Sequence, residues 1–211
     1  MTGTTHRSQT PLGQPSRPIL VVLSGLSGVG KDAILNRMKE SGYPLEHIIT
    51  TTTRPRRAVE KNHTDYHFVS REKFQQMIED NELLEWAVVY GNYYGVPRKP
   101  VKQALDKGQD VVIKVDVQGV ATIKGIVPQA VFIFLTPPSI DDIILRLKKR
   151  RTESPAELAV RTQAAEEELK QLPLFDYVVF NRQDEIDRAV TDISAIIAAE
   201  KCRVNQREIT L

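Results

Sequence analysis

A branched apolar run, Ile19-Leu20-Val21-Val22-Leu23, passes through Ser24 into Gly25-Leu26-Ser27-Gly28-Val29-Gly30-Lys31-Asp32, and apolar residues at helical spacing follow from Ala33 to Lys39. Strand, glycine-rich turn and helix in that order constrain this chain more than any other feature. Glycines in the pattern G-x-x-x-x-G-K let successive backbone N–H groups curl around the phosphates of a nucleotide, while the lysine reaches the β and γ oxygens. The residue after the lysine is ordinarily a Ser or Thr whose hydroxyl faces Mg²⁺. Asp32 offers a carboxylate there, so it is expected to meet the metal and to alter the metal's surroundings. An ordinary glycine turn is the alternative, and the flanking strand and helix argue against it.

Further branched runs at 47–51, 110–115, 130–135 and 177–180 read as buried strands, and helical patterns at 101–107, 120–126, 140–150, 155–172 and 185–201 lie between most of them. This alternation predicts an α/β fold, a parallel sheet with helices on both faces, whose ligands sit beyond the carboxyl ends of the strands. Two stretches interrupt it. Residues 52–97 are too long for a crossover and carry their own strand candidates at 66–69 and 83–90 with a helix at 71–80, so they read as an insertion. Residues 148–161 open with Lys148-Lys149-Arg150-Arg151 and read as a small basic lid.

The chain has 211 residues and a net charge of +2, enough for one core with insertions and too little charge for a nucleic-acid groove. Its single cysteine, Cys202, excludes an internal disulfide framework and suits a reducing cytoplasm. No apolar run approaches a membrane span. Residues 1–17 are polar, rich in Thr, Ser and Pro, and are expected to be a disordered tail; a short organelle-targeting leader is the alternative, since the segment has no acids. Residues 18–204 are expected to form one domain, with core segments 18–51, 98–147 and 162–204, and residues 205–211 a C-terminal tail.

The segment from Thr50 to Tyr66, Thr-Thr-Thr-Thr-Arg-Pro-Arg-Arg-Ala-Val-Glu-Lys-Asn-His-Thr-Asp-Tyr, sets hydroxyls, arginines, a carboxylate and a phenol in close order. It resembles, without a gap, the S-x-T-T-R-x-P-R-x-G-E-x-x-G-x-x-Y motif of the guanylate kinase family. The likeness continues in Leu84-Glu85-Trp86, Gly91-Asn92-Tyr93-Tyr94-Gly95, Val115-Asp116-Val117-Gln118-Gly119 and the arginines from 150 to 161. It implies a P-loop NTPase core with a GMP-binding insertion and a lid. The implied reaction is ATP + GMP (or dGMP) giving ADP + GDP (or dGDP), in purine nucleotide recycling.

The resemblance further implies that Gly25, Leu26, Ser27, Gly28, Val29, Gly30, Lys31 and Asp32 hold ATP, with Arg146 and Asn181 as further contacts. Thr50, Arg54, Arg57, Glu60, Tyr66, Glu85, Tyr94 and Asp116 hold GMP. Lys31, Arg57, Arg150 and Arg161, with Mg²⁺, would neutralise the transferring phosphoryl group, which needs positioning and charge more than a general base. Glu85 lies among Leu83, Leu84, Trp86, Ala87 and Val88, where an unpaired carboxylate is costly and therefore calls for a partner. In the family that partner is the guanine edge, whose N1–H and N2 amino group match one carboxylate.

Several positions depart from the family pattern. Thr50 stands for Ser, Val59 and His63 for two glycines, and Val96 for a Ser or Thr. Asp32 stands for Ser and Lys114 for a common Asp, so both ends have changed sign and are expected to pair. The partners expected are small-molecule substrates, with no nucleic acid and no membrane; monomer and homo-oligomer are both compatible with the sequence. Two other readings of the same residues are a non-catalytic protein-binding module of this fold and a kinase for another small phosphorylated acceptor.

Overall fold

A computed structural model describes residues 17–139, 141–142 and 163–211. The expected lid at 148–161, most of the helix expected at 140–150, and Arg146, Arg150 and Arg161 lie outside these residues.

The first strand, β1 (Leu20–Gly25), is buried along its whole length. Its side chains divide by the two-residue period of a strand. Val21 and Leu23 join one hydrophobic cluster and Leu20 and Val22 the other. Helix α1 (Lys31–Glu40) follows the glycine loop and packs Ile34 and Met38, one turn apart, into the first cluster. Strand β2 (Glu46–Ile48) continues the same sheet.

The chain then leaves that sheet. Strands β3 (Thr51–Thr52), β4 (His67–Phe68), β5 (Leu83–Val89) and β6 (Asn92–Pro97), with helix α2 (Arg71–Glu79), build a second sheet in the order β4-β3-β6-β5. It returns through α3 (Arg98–Asp106), β7 (Val111–Lys114), α4 (Val117–Ile126) and β8 (Val131–Thr136). Beyond a helical stretch at 163–169 come a 3₁₀ turn (Leu172–Leu174), β9 (Tyr177–Phe180) and α5 (Ile186–Lys201).

The main sheet has the order β2-β7-β1-β8-β9 with every pairing parallel. Helices α1 and α5 cover one face, the latter through Ala189, Ile193 and Ile197 at four-residue spacing. Helices α3 and α4 cover the other through Val101, Ala104, Val120 and Ile123. The predicted α/β architecture is therefore present.

Two local expectations are corrected. The single strand predicted at 47–51 is two strands in different sheets: Ile48 pairs with Ile113 of β7, whereas Thr51 pairs with His67 and Gly95. At the crossing, the buried Thr50 donates its hydroxyl to the Lys114 carbonyl at 3.2 Å, which ties the departing chain to the end of β7. Strand β6 was not anticipated at all, yet it pairs antiparallel with both β3 and β5 and forms the middle of the second sheet.

Residues 205–211 are held against the core. Arg207 forks onto the buried Glu200 at 2.8 and 3.1 Å and donates to the Ala130 carbonyl at 3.0 Å, while Ile209 and Leu211 pack on the second cluster. Tyr177 donates its hydroxyl to the same carboxylate at 2.5 Å. Arg17 reaches this segment too, through Gln206 and Glu208.

The glycine loop depends on its first residue. Gly25 has φ 138°, and a β-carbon there would lie 2.0 Å from the carbonyl oxygen of Leu135 in the neighbouring strand β8. Backbone on both sides leaves nothing flexible to yield. Gly25→Ala is expected to destabilise the fold by at least about 2 kcal/mol and to weaken triphosphate binding; urea unfolding and titration with a non-hydrolysable ATP analogue would reveal it, and unchanged midpoints would contradict it.

Candidate functional site

The carboxyl ends of β1 and β7 and the inner face of the second sheet enclose a cleft of about 540 Å³. One side is the loop, through Ser27 to Asp32. The other is the insertion, through Arg54, Arg57, Tyr66, Glu85 and Tyr94, with Thr50, Lys114 and Asp116 at the junction. Most site residues read from the sequence thus share one cavity, although they come from segments up to about ninety positions apart.

On the loop side, Gly28 and Gly30 have φ 83° and 101°. The Lys31 ammonium lies across the loop and donates to the carbonyls of Gly25 at 2.7 Å and Leu26 at 3.3 Å. Burial pulls its pKa below the ordinary lysine range, against the opposing charges of Asp116, Glu168 and Asp32. Asn181, expected as a contact to ATP, is not on the cleft wall. It is buried behind the loop and donates its side-chain amide to the Val29 carbonyl at 2.8 Å, so it braces the loop. Glu168, from the helical stretch at 163–169, accepts from the backbone N–H of Ser27 at 3.1 Å. Nothing in the sequence singled out Glu168, since it closes an acidic run that reads as a solvated helix face.

On the insertion side, Glu60 organises the basic cluster without lining the cleft. Its carboxylate accepts from the Arg54 guanidinium at 2.7 Å and from the Arg57 backbone N–H at 2.8 Å. Burial would raise the Glu60 carboxyl, but Arg54 and the Arg57 amide outweigh it and hold it below the usual range. The Arg54 guanidinium also stands 5.6 Å from the Tyr66 ring centre and 5.7 Å from that of Phe68, a cation–π arrangement that fixes its plane. Arg57 keeps its guanidinium half exposed at the cleft. His63 adopts φ 62°, a left-handed turn that residues other than glycine rarely take. Two cations and two phenols facing one space suit a phosphate dianion.

Glu85 is 5% exposed, and its Oε1 has no hydrogen-bond partner. Burial first, and the nearby Asp116 second, push its carboxyl up to about 8. The carboxylate rests on α4 where Gly119 leaves room; a β-carbon at that position would lie 2.1 Å from Oε1. Asp116 caps the same helix, accepting from the Gln118 N–H at 3.1 Å, and also lines the cleft. The capping explains why α4 starts three residues before the predicted 120.

At the junction, the expected charge pair is present. The Lys114 ammonium donates to Asp32 and, at 2.8 Å, to the Tyr66 hydroxyl. Burial would depress this lysine, yet Asp32 and Tyr66 overcome that and raise it. The contact with Tyr66 was not legible in the sequence.

Among the described residues, no group of three or more His, Cys, Asp or Glu side chains could hold a metal ion by itself. The largely exposed Asp32 carboxylate, paired with Lys114 beside the phosphate loop, would instead suit a hard cation that arrives with the nucleotide. Among the described residues, no helix is long and apolar enough to cross a membrane.

Known proteins resemble this chain along most of its length. The family model described as guanylate kinase matches residues 17–200. A guanylate kinase of Caldanaerobacter subterraneus is 45% identical over 190 residues, covering 90% of this chain and 91% of the relative. The guanylate kinase 2, chloroplastic/mitochondrial, of Oryza sativa is 42% identical over 210 residues, 99% of this chain and 73% of the relative. The crystal structure of guanylate kinase from Anaplasma phagocytophilum superposes with a TM-score of 0.72 at 30% identity, covering 90% of this chain and 89% of that one. With a phosphate loop, a basic acceptor cluster and a buried carboxylate around one cleft, and with these relatives matched along nearly its whole length, the chain belongs to the guanylate kinase family.

Proposed function

We propose that this protein transfers the γ-phosphoryl group of ATP to GMP, with dGMP as an alternative acceptor because none of the described residues is assigned to a 2′-hydroxyl. The observation that carries the reading is Glu85, a buried carboxylate with an unpartnered oxygen across the cleft from the phosphate loop. Guanine presents two adjacent N–H donors to such a group. Adenine presents no such pair and would leave the buried acid unsatisfied, which is how a polar site rejects a near relative strongly.

In this reading the loop amides from Ser27 to Asp32 cradle the ATP phosphates, braced from behind by Asn181. Lys31 swings from its loop carbonyls onto the β and γ oxygens. Arg54, Arg57, Tyr66 and Tyr94 hold the GMP phosphate, with Glu60 keeping Arg54 in place, and Thr50 and Asp116 complete the GMP wall. The acceptor phosphate oxygen attacks the γ-phosphorus, the bond to the β-phosphate oxygen breaks, and ADP leaves. Lys31 and Arg57 neutralise charge on the transferring group, a role shared with Arg150 and Arg161 of the proposed lid, while Arg146 is a further contact to ATP. Mg²⁺, held by Asp32 and the nucleotide, would supply further neutralisation of the β and γ phosphates. No side chain needs to act as a strong base, because the acceptor oxygen is already anionic.

A coupled assay of ADP release with GMP, AMP, CMP and UMP tests the reading. GMP is expected to turn over at least about a hundredfold more efficiently than AMP, since a buried polar mismatch costs several kcal/mol; equal turnover with AMP would remove Glu85 from the base site.

The raised carboxyl adds a pH signature. Guanine needs the Glu85 carboxylate, whereas below about 8 the unliganded protein holds the acid. GMP affinity is therefore expected to rise with pH, by up to roughly tenfold per unit below that value, and to level off above it; calorimetry in buffers of different ionisation enthalpy should register proton release on binding at pH 7.

The same shift has a stability consequence with the opposite sense. A carboxyl raised in the folded state is favourable at low pH and becomes a growing penalty between its unfolded value near 4.5 and about 8. At about 1.4 kcal/mol per unit, the penalty at pH 9 is of the order of a few kcal/mol. Glu85→Gln is thus expected to melt higher than the parent at pH 9 while losing discrimination for GMP, and a lower melting temperature would contradict the assignment.

A further inference from the structure

Lys114 occupies the point where the two halves of the cleft meet. Its side chain is only 12% exposed, whereas that of Asp32 is 63% exposed. The ammonium donates to an Asp32 carboxylate oxygen on the phosphate-loop side and to the Tyr66 hydroxyl on the insertion side, and it lies 3.9 Å from the centre of the Tyr66 ring. An ammonium has three N–H donors. Two are engaged by these partners, and the third remains for an oxygen in the cleft that Lys114 lines. Thr50, the residue at which the chain crosses between sheets, donates to the backbone carbonyl of the same lysine.

We propose that Lys114 is a positioning residue that links the two nucleotide sites, so that a metal–nucleoside triphosphate on the loop and a nucleoside monophosphate on the insertion tighten each other's binding through the chain Asp32–Lys114–Tyr66. The inference rests on the two-nucleotide reading above. Its physical basis is competition for one buried cation. A divalent cation at the largely exposed Asp32 carboxylate weakens its hold on Lys114, and the ammonium is then more available to Tyr66 and to an acceptor phosphate. In reverse, a phosphate dianion near Lys114 draws the ammonium from Asp32 and leaves the carboxylate more negative for the metal. Linkage makes the two effects equal.

The test measures GMP binding by calorimetry without and with saturating Mg²⁺ and a non-hydrolysable ATP analogue. In the parent protein the analogue is expected to strengthen GMP binding by about fivefold or more, the lower end of ordinary site-to-site coupling. In Lys114→Met the factor should fall to within about twofold of unity, Asp32→Asn should do the same, and Lys114→Arg should keep part of it. Omitting Mg²⁺ should remove the effect in the parent. A merely structural ion pair predicts weaker binding or a lower melting temperature in Lys114→Met with the coupling factor intact, and that result would overturn the proposal, as would a parent protein with no coupling. Should Lys114→Met fail to fold, Tyr66→Phe removes the insertion end of the chain; it weakens GMP binding in itself, and the factor by which the analogue strengthens that binding is expected to fall to within about twofold of unity as well. A parent that neither binds nor phosphorylates GMP defeats the functional reading itself; one that phosphorylates GMP from uncoupled sites defeats this inference alone.

Discussion

Parallel pairing of β1 between β7 and β8 is the constraint on which the rest of the cleft depends. It places the ends of three strands side by side, with Gly25 against the carbonyl of Leu135 on one flank and Leu23 opposite Lys114 on the other. The glycine loop can turn only at that point, because β8 leaves no room for a β-carbon. Lys114 and Asp116, at the end of β7, are delivered to the same rim by the same register. Burial on both faces of β1 makes the register expensive to shift, since a slip of one residue would exchange its two hydrophobic clusters.

The second sheet solves a different problem. It holds polar and charged groups over the rim without covering the loop, and it does so with little core of its own, chiefly Phe74, Met77 and Leu83. Its order comes from the central strands β3 and β6 and from a dense set of local polar contacts, among which Glu60 is pivotal. One carboxylate there serves a guanidinium and a backbone amide together. Glu85 shows the contrary arrangement, a buried carboxylate whose Oε1 has no hydrogen-bond partner among the described residues. Their surroundings shift the two acids in opposite directions, Glu60 downward beside Arg54 and the Arg57 amide and Glu85 upward by burial and by Asp116.

Much of this was legible in the sequence, for identifiable reasons. The loop announced itself because glycine and lysine spacing has a stereochemical cause, and Glu85 stood out because a carboxylate in an apolar run demands an explanation. The sign reversal at Asp32 and Lys114 foretold a contact between residues 82 positions apart, and the ammonium does donate to that carboxylate. Other features left no trace. After His47 the run at 47–51 is branched or hydroxylated throughout and carries no mark of the place where it changes sheets. Strand β6 contains Gly95 and ends at Pro97, which reads as loop, although Gly95 is required by the close approach of Phe74 and Leu83. Glu168 was hidden because its role is set by where the helix at 163–169 packs, and no local pattern encodes that.

The way the second sheet joins the core divides recognition unevenly. The insertion leaves at Thr50 and re-enters where β6 runs directly into α3, so its arginines, tyrosines and Glu85 travel together on one contiguous stretch of chain. Asp116, Gly119 and Lys114, which face those groups, stay behind on the core. Exchanging the insertion for another would therefore replace the arginine, tyrosine and Glu85 side of the cleft while retaining the side built by Lys114, Asp116 and Gly119. Changes on one side of the seam must therefore be matched on the other, and the first mismatch would be felt at Glu85, whose carboxylate fills the space that a β-carbon at Gly119 would take.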